Sequence, residues 1–197
     1  MFAVELIFKV IACIFITDFL SGLLHWLEDA YGNEDWPITG KLITRPNILH
    51  HYDPRYFTRY SWLYSARVLL LIGAVVLATT YWGGFLNLMT VLVVVIGINA
   101  NEIHKWAHRT KIENGPIITY CQRIGLLQSP VQHGKHHRGT KDTYYCVVTD
   151  YLNPVLERLH FWPTLEWLLL HIFGVQRRLD HSVKVEERGV RNVDAYR

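Results

Sequence analysis

Cysteine is scarce and badly spaced for chemistry. Cys13, Cys121 and Cys146 are odd in number and no two form a Cys-x-x-Cys pair. That spacing argues against a disulfide framework and against a thiolate metal site, and each cysteine reads as a small buried apolar residue. An excess of one charge is lacking too: 20 basic against 17 acidic side chains leave +3, and nothing points to nucleic acid. No Gly-x-Gly-x-x-Gly fingerprint offers a site for a flavin or a dinucleotide, so electrons for any redox chemistry come from a partner. The soluble di-iron bundle needs two Glu-x-x-His motifs, and only Glu157–His160 has that spacing. No cleavable leader is expected, because the first apolar stretch carries Glu5, Lys9 and Asp18 and lacks a small-residue cleavage site.

Apolar and aromatic residues are abundant. They make up 50% and 13% of the chain, and the mean hydropathy of +0.10 is high for a soluble protein with ordinary charge content. Many aromatics flank the apolar runs, as interfacial anchors do. The 197 residues make one domain's worth of chain, read as a single membrane-embedded domain. Its core is 18–162, and a polar tail starts at about 175.

Runs 2–26, 62–82 and 85 to about 104 are each long enough to cross a hydrocarbon core of roughly 30 Å, for which about 20 residues suffice. Only Gly83-Gly84 separates the second from the third, which predicts a tight helical hairpin. Gly32, Asn33, Pro37, Gly40, Pro46 and Pro54 break the stretch after the first run into turns. Run 162–174 is too short to span. With Pro163 at its start and Glu166 and His171 among leucines, it reads as an interfacial or re-entrant helix. The expected fold is all-α, with about three transmembrane helices plus that interfacial one.

Histidine carries the chemistry. His133-Gly134-Lys135-His136-His137 puts three imidazoles on one helical face, and neutral imidazole is the commonest protein metal ligand. His104 and His108 share a face at i, i+4, with Asn101 a turn earlier. His50 and His51 are adjacent, and Asp18, Ser21, Gly22, His25 and Asp29 form one polar stripe down a face of the first helix. A carboxylate in a membrane helix marks a functional interior face by default.

Following the chain across the membrane gathers all eight histidines at one face. Lys41, Arg45, Arg55, Arg59, Arg67, Lys105, Arg109, Lys111 and Lys135 lie near it, whereas the Gly83-Gly84 turn has no charge. The positive-inside rule makes that face cytoplasmic.

Eight imidazoles are enough for two metals with positions left open, and an all-nitrogen set favours a redox-capable ion such as iron. Asp29, at i+4 from His25, is a candidate ligand or an acceptor that fixes an imidazole tautomer. Asp18 and Asn101 are candidates to support the ligands or line a substrate channel, with simple interhelical packing as the plain alternative. His160, His171 and His181 have no partners at ligand spacing and read as surface or interfacial. Haem competes, but it accounts for only two to four of the eight. The non-enzyme alternative is a membrane metal-binding or transport protein.

Asp18-Phe19-Leu20-Ser21-Gly22-Leu23-Leu24-His25-Trp26 resembles the DFxSGxxHW signature of the Kua/CarF-type membrane lipid desaturases. His50-His51-Tyr52-Asp53-Pro54, then Asn101-Glu102-Ile103-His104-Lys105-Trp106-Ala107-His108, then the HxxHH block with Tyr144-Tyr145-Cys146 are similar to that family's other motifs, in the same order. The resemblance implies a di-iron, O2-dependent desaturase acting on membrane phospholipid. Its ligands would be His25, His50, His51, His104, His108, His133, His136 and His137. The ether-lipid branch, nearest in its HHxDP stretch, converts plasmanylethanolamine to the vinyl ether plasmalogen; acyl-chain desaturation or hydroxylation is the alternative. An external donor of the cytochrome b5 or ferredoxin kind would supply electrons, docking on basic residues such as Lys105, Arg109 and Lys111.

Overall fold

In a membrane interior a backbone N–H or C=O finds no water, so a spanning chain forms helices. The computed structural model describes residues 2–178, and every regular element among them is helical. α1 (Phe2–Tyr31) leads into a π-helical turn (Gly40–Thr44), α2 (Arg45–Tyr52) and a 3-10 turn (Tyr56–Arg59). Then come α3 (Trp62–Trp82), α4 (Leu88–Ile98), α5 (Ala100–Ala107) and α6 (Lys111–Arg123). α7 (Pro130–His136), α8 (Leu152–Arg158) and α9 (Phe161–Phe173) complete the order.

Ala3–Tyr31 and Trp62–Trp82 are long and apolar enough to cross a membrane, and α4 with α5, bent by 41° at their junction, meets the same requirement when the two are taken together. The third expected run, 85 to about 104, thus contains a bend, and Asn99 sits at it. The Asn99 Nδ2 donates to the Val95 carbonyl and its Oδ1 accepts the Trp62 indole N–H, each at 2.9 Å. Its own carbonyl takes the N–H groups of Glu102 and Ile103 and starts α5. A side chain that competes with the backbone ladder ends one helix and opens another.

The hairpin forms where expected. Gly83 N–H bonds the Thr79 carbonyl, Gly84 takes φ 74°, and Phe85 N–H returns to the Thr80 carbonyl. At Gly73, where α3 meets α4, a Cβ would lie 2.9 Å from Val94, so the helices approach closely there. Thr17 ties α1 to α4, its hydroxyl lying 2.8 Å from the Cys13 carbonyl and 3.4 Å from that of Val93.

Other elements depart from the expected turns. His50 and His51 sit on α2, with Pro46 in its first turn. The polar connection around Gly115-Pro116 is helical, kinked where Gly115 takes φ 72°. α9 has 13 residues, about 20 Å at the helical rise, which is too short to span. Trp162 is buried, whereas Trp167, Leu170, Ile172 and Phe173 are exposed, as an interfacial helix requires. His181 and the tail beyond 178 lie outside the described residues. Arg177 reaches back to Glu166 and to the Tyr145 hydroxyl, both at 3.1 Å.

Residues 145–149 run without regular structure along α1, and side chains take up their backbone groups. Asp18 accepts the N–H of Val148 (2.8 Å) and of Thr149 (3.2 Å) and the Thr149 hydroxyl (2.5 Å). Ser21 accepts the Val147 N–H (3.2 Å), and Asn153 and Gln128 hold Cys146. Gly22 makes the approach possible, since a Cβ there would stand 2.6 Å from the Cys146 sulfur. Asp18→Asn exchanges one accepting oxygen for a donor and leaves a buried N–H unpaired, at a cost of roughly 1–3 kcal/mol. Thermal unfolding in detergent micelles should show a lowered Tm; an unchanged Tm would refute the anchoring role.

Candidate metal centre

The eight histidines arrive from four helices. His25 lies on α1, and His50 and His51 on α2. His104 lies on α5 with His108 capping it, and His133, His136 and His137 lie on α7 and its C-cap. α7 forms locally because Ser129 accepts the Gln132 N–H and Pro130 opens its first turn.

The rings gather in two adjoining groups. His50, His104, His108, His133 and His137 each offer a nitrogen within 4.8 Å of the others, and His25, Asp29, His51 and His136 form a second set by the same measure. Consecutive helical residues point about 100° apart. Hence each adjacent pair divides: His50 and His137 join the first group, His51 and His136 the second. The second group is buried, whereas His108 and His137 of the first are partly exposed.

Within the first group the Nε2–Nε2 separations are 2.8 Å (His104–His133), 3.0 Å (His133–His137), 3.0 Å (His137–His50) and 3.3 Å (His108–His104). Nitrogens bound to one metal at about 2.1 Å lie about 3.0 Å apart in an octahedral arrangement and about 3.4 Å apart in a tetrahedral one. Hydrogen bonding alone does not explain the set. A neutral imidazole nitrogen is a donor or an acceptor, not both, yet Nε2 of His104, His133 and His137 each has two such neighbours. A cation shared by five lone pairs satisfies them all.

In the second group Asp29 faces three imidazoles. Its Oδ2 lies 3.4 Å from His136 Nε2 and 3.7 Å from His25 Nε2, and its Oδ1 lies 3.7 Å from His51 Nε2. Asn47 donates to Oδ1 and holds the carboxylate in place. His136 Nδ1 lies 2.8 Å from the Thr143 carbonyl and His25 Nδ1 lies 3.1 Å from that of Tyr145. A carbonyl only accepts, so both Nδ1 atoms carry the proton and both Nε2 atoms turn a lone pair inward.

Burial keeps these rings neutral. Desolvation first, and then neighbouring imidazoles, hold His50, His133, His136 and His137 well below the ordinary histidine range; burial also brings His108 down to about 3.

A cavity of about 480 Å³ opens onto both groups, with His25, His50 and His104 in its lining. Asn101 lines it as well, and its Nδ2 donates to the Ser65 carbonyl at 2.8 Å. Asp18 lies outside both groups, occupied with residues 148 and 149. His160 and His171 are exposed and belong to neither group. The expected donor-docking role of Lys105 is corrected. Lys105 is 1% exposed, and its Nζ lies 2.5 Å from Glu102 and 3.0 Å from the Tyr60 carbonyl. The i, i+3 spacing to Glu102 turns it inward, and Arg109 pairs with the same carboxylate. Sequence reasoning missed Asn47 and Tyr145. Asn47 had a signal, one helical turn before His50 and His51; Tyr145 had only its place beside the histidine block.

The profile of the lipid desaturase domain matches residues 14–180. The chain is 32% identical over 177 residues to a probable fatty acid desaturase of Acanthamoeba polyphaga mimivirus, covering 87% of this chain and 86% of that one. It is 32% identical over 190 residues to plasmanylethanolamine desaturase 1 of Mus musculus, covering 88% of this chain and 68% of the mouse protein. Against the plasmanylethanolamine desaturase of Myxococcus xanthus it is 30% identical over 175 residues, covering 83% of this chain and only 60% of the bacterial protein. No solved structure matches. Two histidine groups at one cavity and a profile match along most of the sequence agree: the chain belongs to the lipid desaturase family, oxidoreductases of the desaturase class.

Proposed function

We propose that this chain is a di-iron, O2-dependent membrane desaturase that converts the 1-O-alkyl chain of an ether phospholipid, plasmanylethanolamine, to the vinyl ether of a plasmalogen. One observation carries the reading: imidazoles of both groups, His50 and His104 from one and His25 from the other, line a single cavity. An alkyl chain entering it meets both groups together.

The donor set suits iron. Eight imidazole nitrogens and one carboxylate favour a redox-capable first-row ion over magnesium or calcium. Iron with dioxygen supplies the oxidant that unactivated C–H bonds need and that no side-chain acid or base provides. The protein's part is geometric. The eight histidines and Asp29 hold the metals, Asn47 orients Asp29, and Leu24, Leu49, Phe57, Leu69 and Val147 wall the cavity against water.

The site belongs on the cytoplasmic face. Exposed Lys41, Arg45, Arg55, Arg59 and Lys111 follow the helix ends on its side, while the Gly83-Gly84 turn is uncharged. Electrons enter from an acidic carrier of the cytochrome b5 or ferredoxin kind. Its docking point is the edge where His108 and His137 meet solvent, beside exposed Arg55 and Arg138. The mimivirus relative's name favours one second reading, desaturation of an acyl chain.

Three measurements bear on this. Expression in a host supplied with alkyl ether lipids should yield acid-labile vinyl ethers by lipid mass spectrometry; a new acyl double bond instead would favour the second reading. Iron analysis of the purified protein should give about two per chain. Asp29→Asn should lower that toward about one by weakening only the second group, and full retention of iron would count against Asp29 as a ligand. The third is the pH dependence of the metal-free protein. Its buried imidazoles stay neutral when folded, whereas the unfolded chain takes protons near pH 6.5. Stability is therefore complete above about pH 7 and falls as pH drops through about 6.5 toward 5. A flat Tm over that range, with chelator present, would contradict neutral burial.

A further inference from the structure

Four basic residues near the metal groups are committed to acids: Arg55 to Glu113, Arg59 to Asp53, Lys105 and Arg109 to Glu102. Three that line the cavity are not. Lys41, Arg45 and Arg67 line the same cavity as the imidazoles, and among the described residues none has an acidic partner. Lys41 lies on the π-helical turn that runs directly into α2, where Arg45 is the first residue, so i, i+4 spacing sets both on one face. Arg67 comes from α3, with its guanidinium 3.8 Å above the Tyr64 ring. Stacking occupies the flat face of the guanidinium and leaves its N–H edge for an anion.

Lys41 and Arg45 are exposed, whereas His25, His50 and His104 are buried. The cavity therefore runs from a mouth that carries Lys41 and Arg45 to a nitrogen-rich floor, with Leu24 and Leu49 in the wall and Glu28 as the one carboxyl against three cations in the lining. That is the polarity of an anionic amphiphile entering tail first. An apolar chain in an apolar wall slides freely, since hydrophobic contact has no direction; a charged anchor fixes how far it reaches.

We propose that Lys41, Arg45 and Arg67 form an anion subsite that holds the phosphate of the lipid headgroup and so determines which carbon reaches the imidazoles. This rests on the lipid desaturase reading above. The test compares an ether phospholipid with the matching phosphate-free alkylglycerol, using the purified full chain in phosphate-free detergent micelles. Binding is followed by tryptophan fluorescence, and double-bond position by mass spectrometry.

Lys41→Gln, Arg45→Gln and Arg67→Gln should each weaken phospholipid binding roughly tenfold and leave the alkylglycerol unchanged, with Arg67→Lys retaining part of the affinity. Added salt should weaken only the phospholipid, and the triple variant should spread the double bond over several positions. Equal binding of the two lipids by the unmodified protein, or equal weakening of both by the variants, would overturn the proposal. Inorganic phosphate binding as tightly as the phospholipid would also overturn it, by marking a free-phosphate site. Charge-dependent phospholipid binding without any lipid conversion would leave the subsite standing and refute the desaturase reading, so the two failures are distinguishable.

Discussion

Residues 145–149 form an irregular stretch of backbone packed on a helix long and apolar enough to cross a membrane, and the rest of the centre depends on how that stretch is satisfied. Unpaired backbone groups are costly away from water, and here one face of α1 supplies their partners. Asp18 and Ser21 accept three N–H groups, and Gly22 removes the Cβ that would hold the chain off. The same contact reaches the metal site one turn later, where the Tyr145 carbonyl sets the tautomer of His25. Gln128, two residues before α7, bonds the Cys146 carbonyl through its side chain and the Val148 carbonyl through its N–H, so anchoring 145–149 also helps fix where His133, His136 and His137 stand relative to α1. Stability and ligand geometry thus share one set of hydrogen bonds.

Eight imidazoles in one place create an electrostatic problem that burial resolves in part. Protonated rings would repel at these distances, and desolvation holds His133 and His136, among others, below the ordinary histidine range. Neutral rings whose Nε2 atoms face each other at about 3 Å lack enough protons to satisfy one another by hydrogen bonding alone. A cation would take up their lone pairs, and its binding free energy would become folding free energy. The two groups are unequal in charge: Asp29 places a single carboxylate in the second, while the first is imidazole only. A harder, more negative site therefore sits deep, and a neutral one sits at the solvent edge.

Much of this was legible in the sequence, and the reasons differ by residue. The two apolar spans and the Gly83-Gly84 turn follow from run length and glycine alone, as does the convergence of HxxHH on one helical face. Asn99 was not legible as a break. It is an ordinary residue within an apolar run, and only its tertiary bond to Trp62 and its bond to Val95 make it a cap. Lys105 looked like surface charge because a lysine in a polar motif usually is; its pairing with Glu102 and burial against Tyr60 depend on how the 3-10 turn packs on α5. The polar stripe of α1 was visible, but its partner lies more than 120 residues away in a segment with no periodicity to betray it.

The division of the adjacent histidine pairs gives two ligand groups in place of a single crowded cluster. His50-His51 and His136-His137 each straddle the boundary, so the helical twist of about 100° per residue separates the groups without any extra element. A residue inserted between the members of either pair would rotate one ring out of its group. The cavity meets this boundary from one side, at His25, His50 and His104. His108 and His137, the partly exposed members of the set, are absent from its lining. The oxidising centre proposed above would have to admit a chain and electrons by different routes, and the cavity on one side and the partly exposed His108 and His137 on the other would meet that requirement.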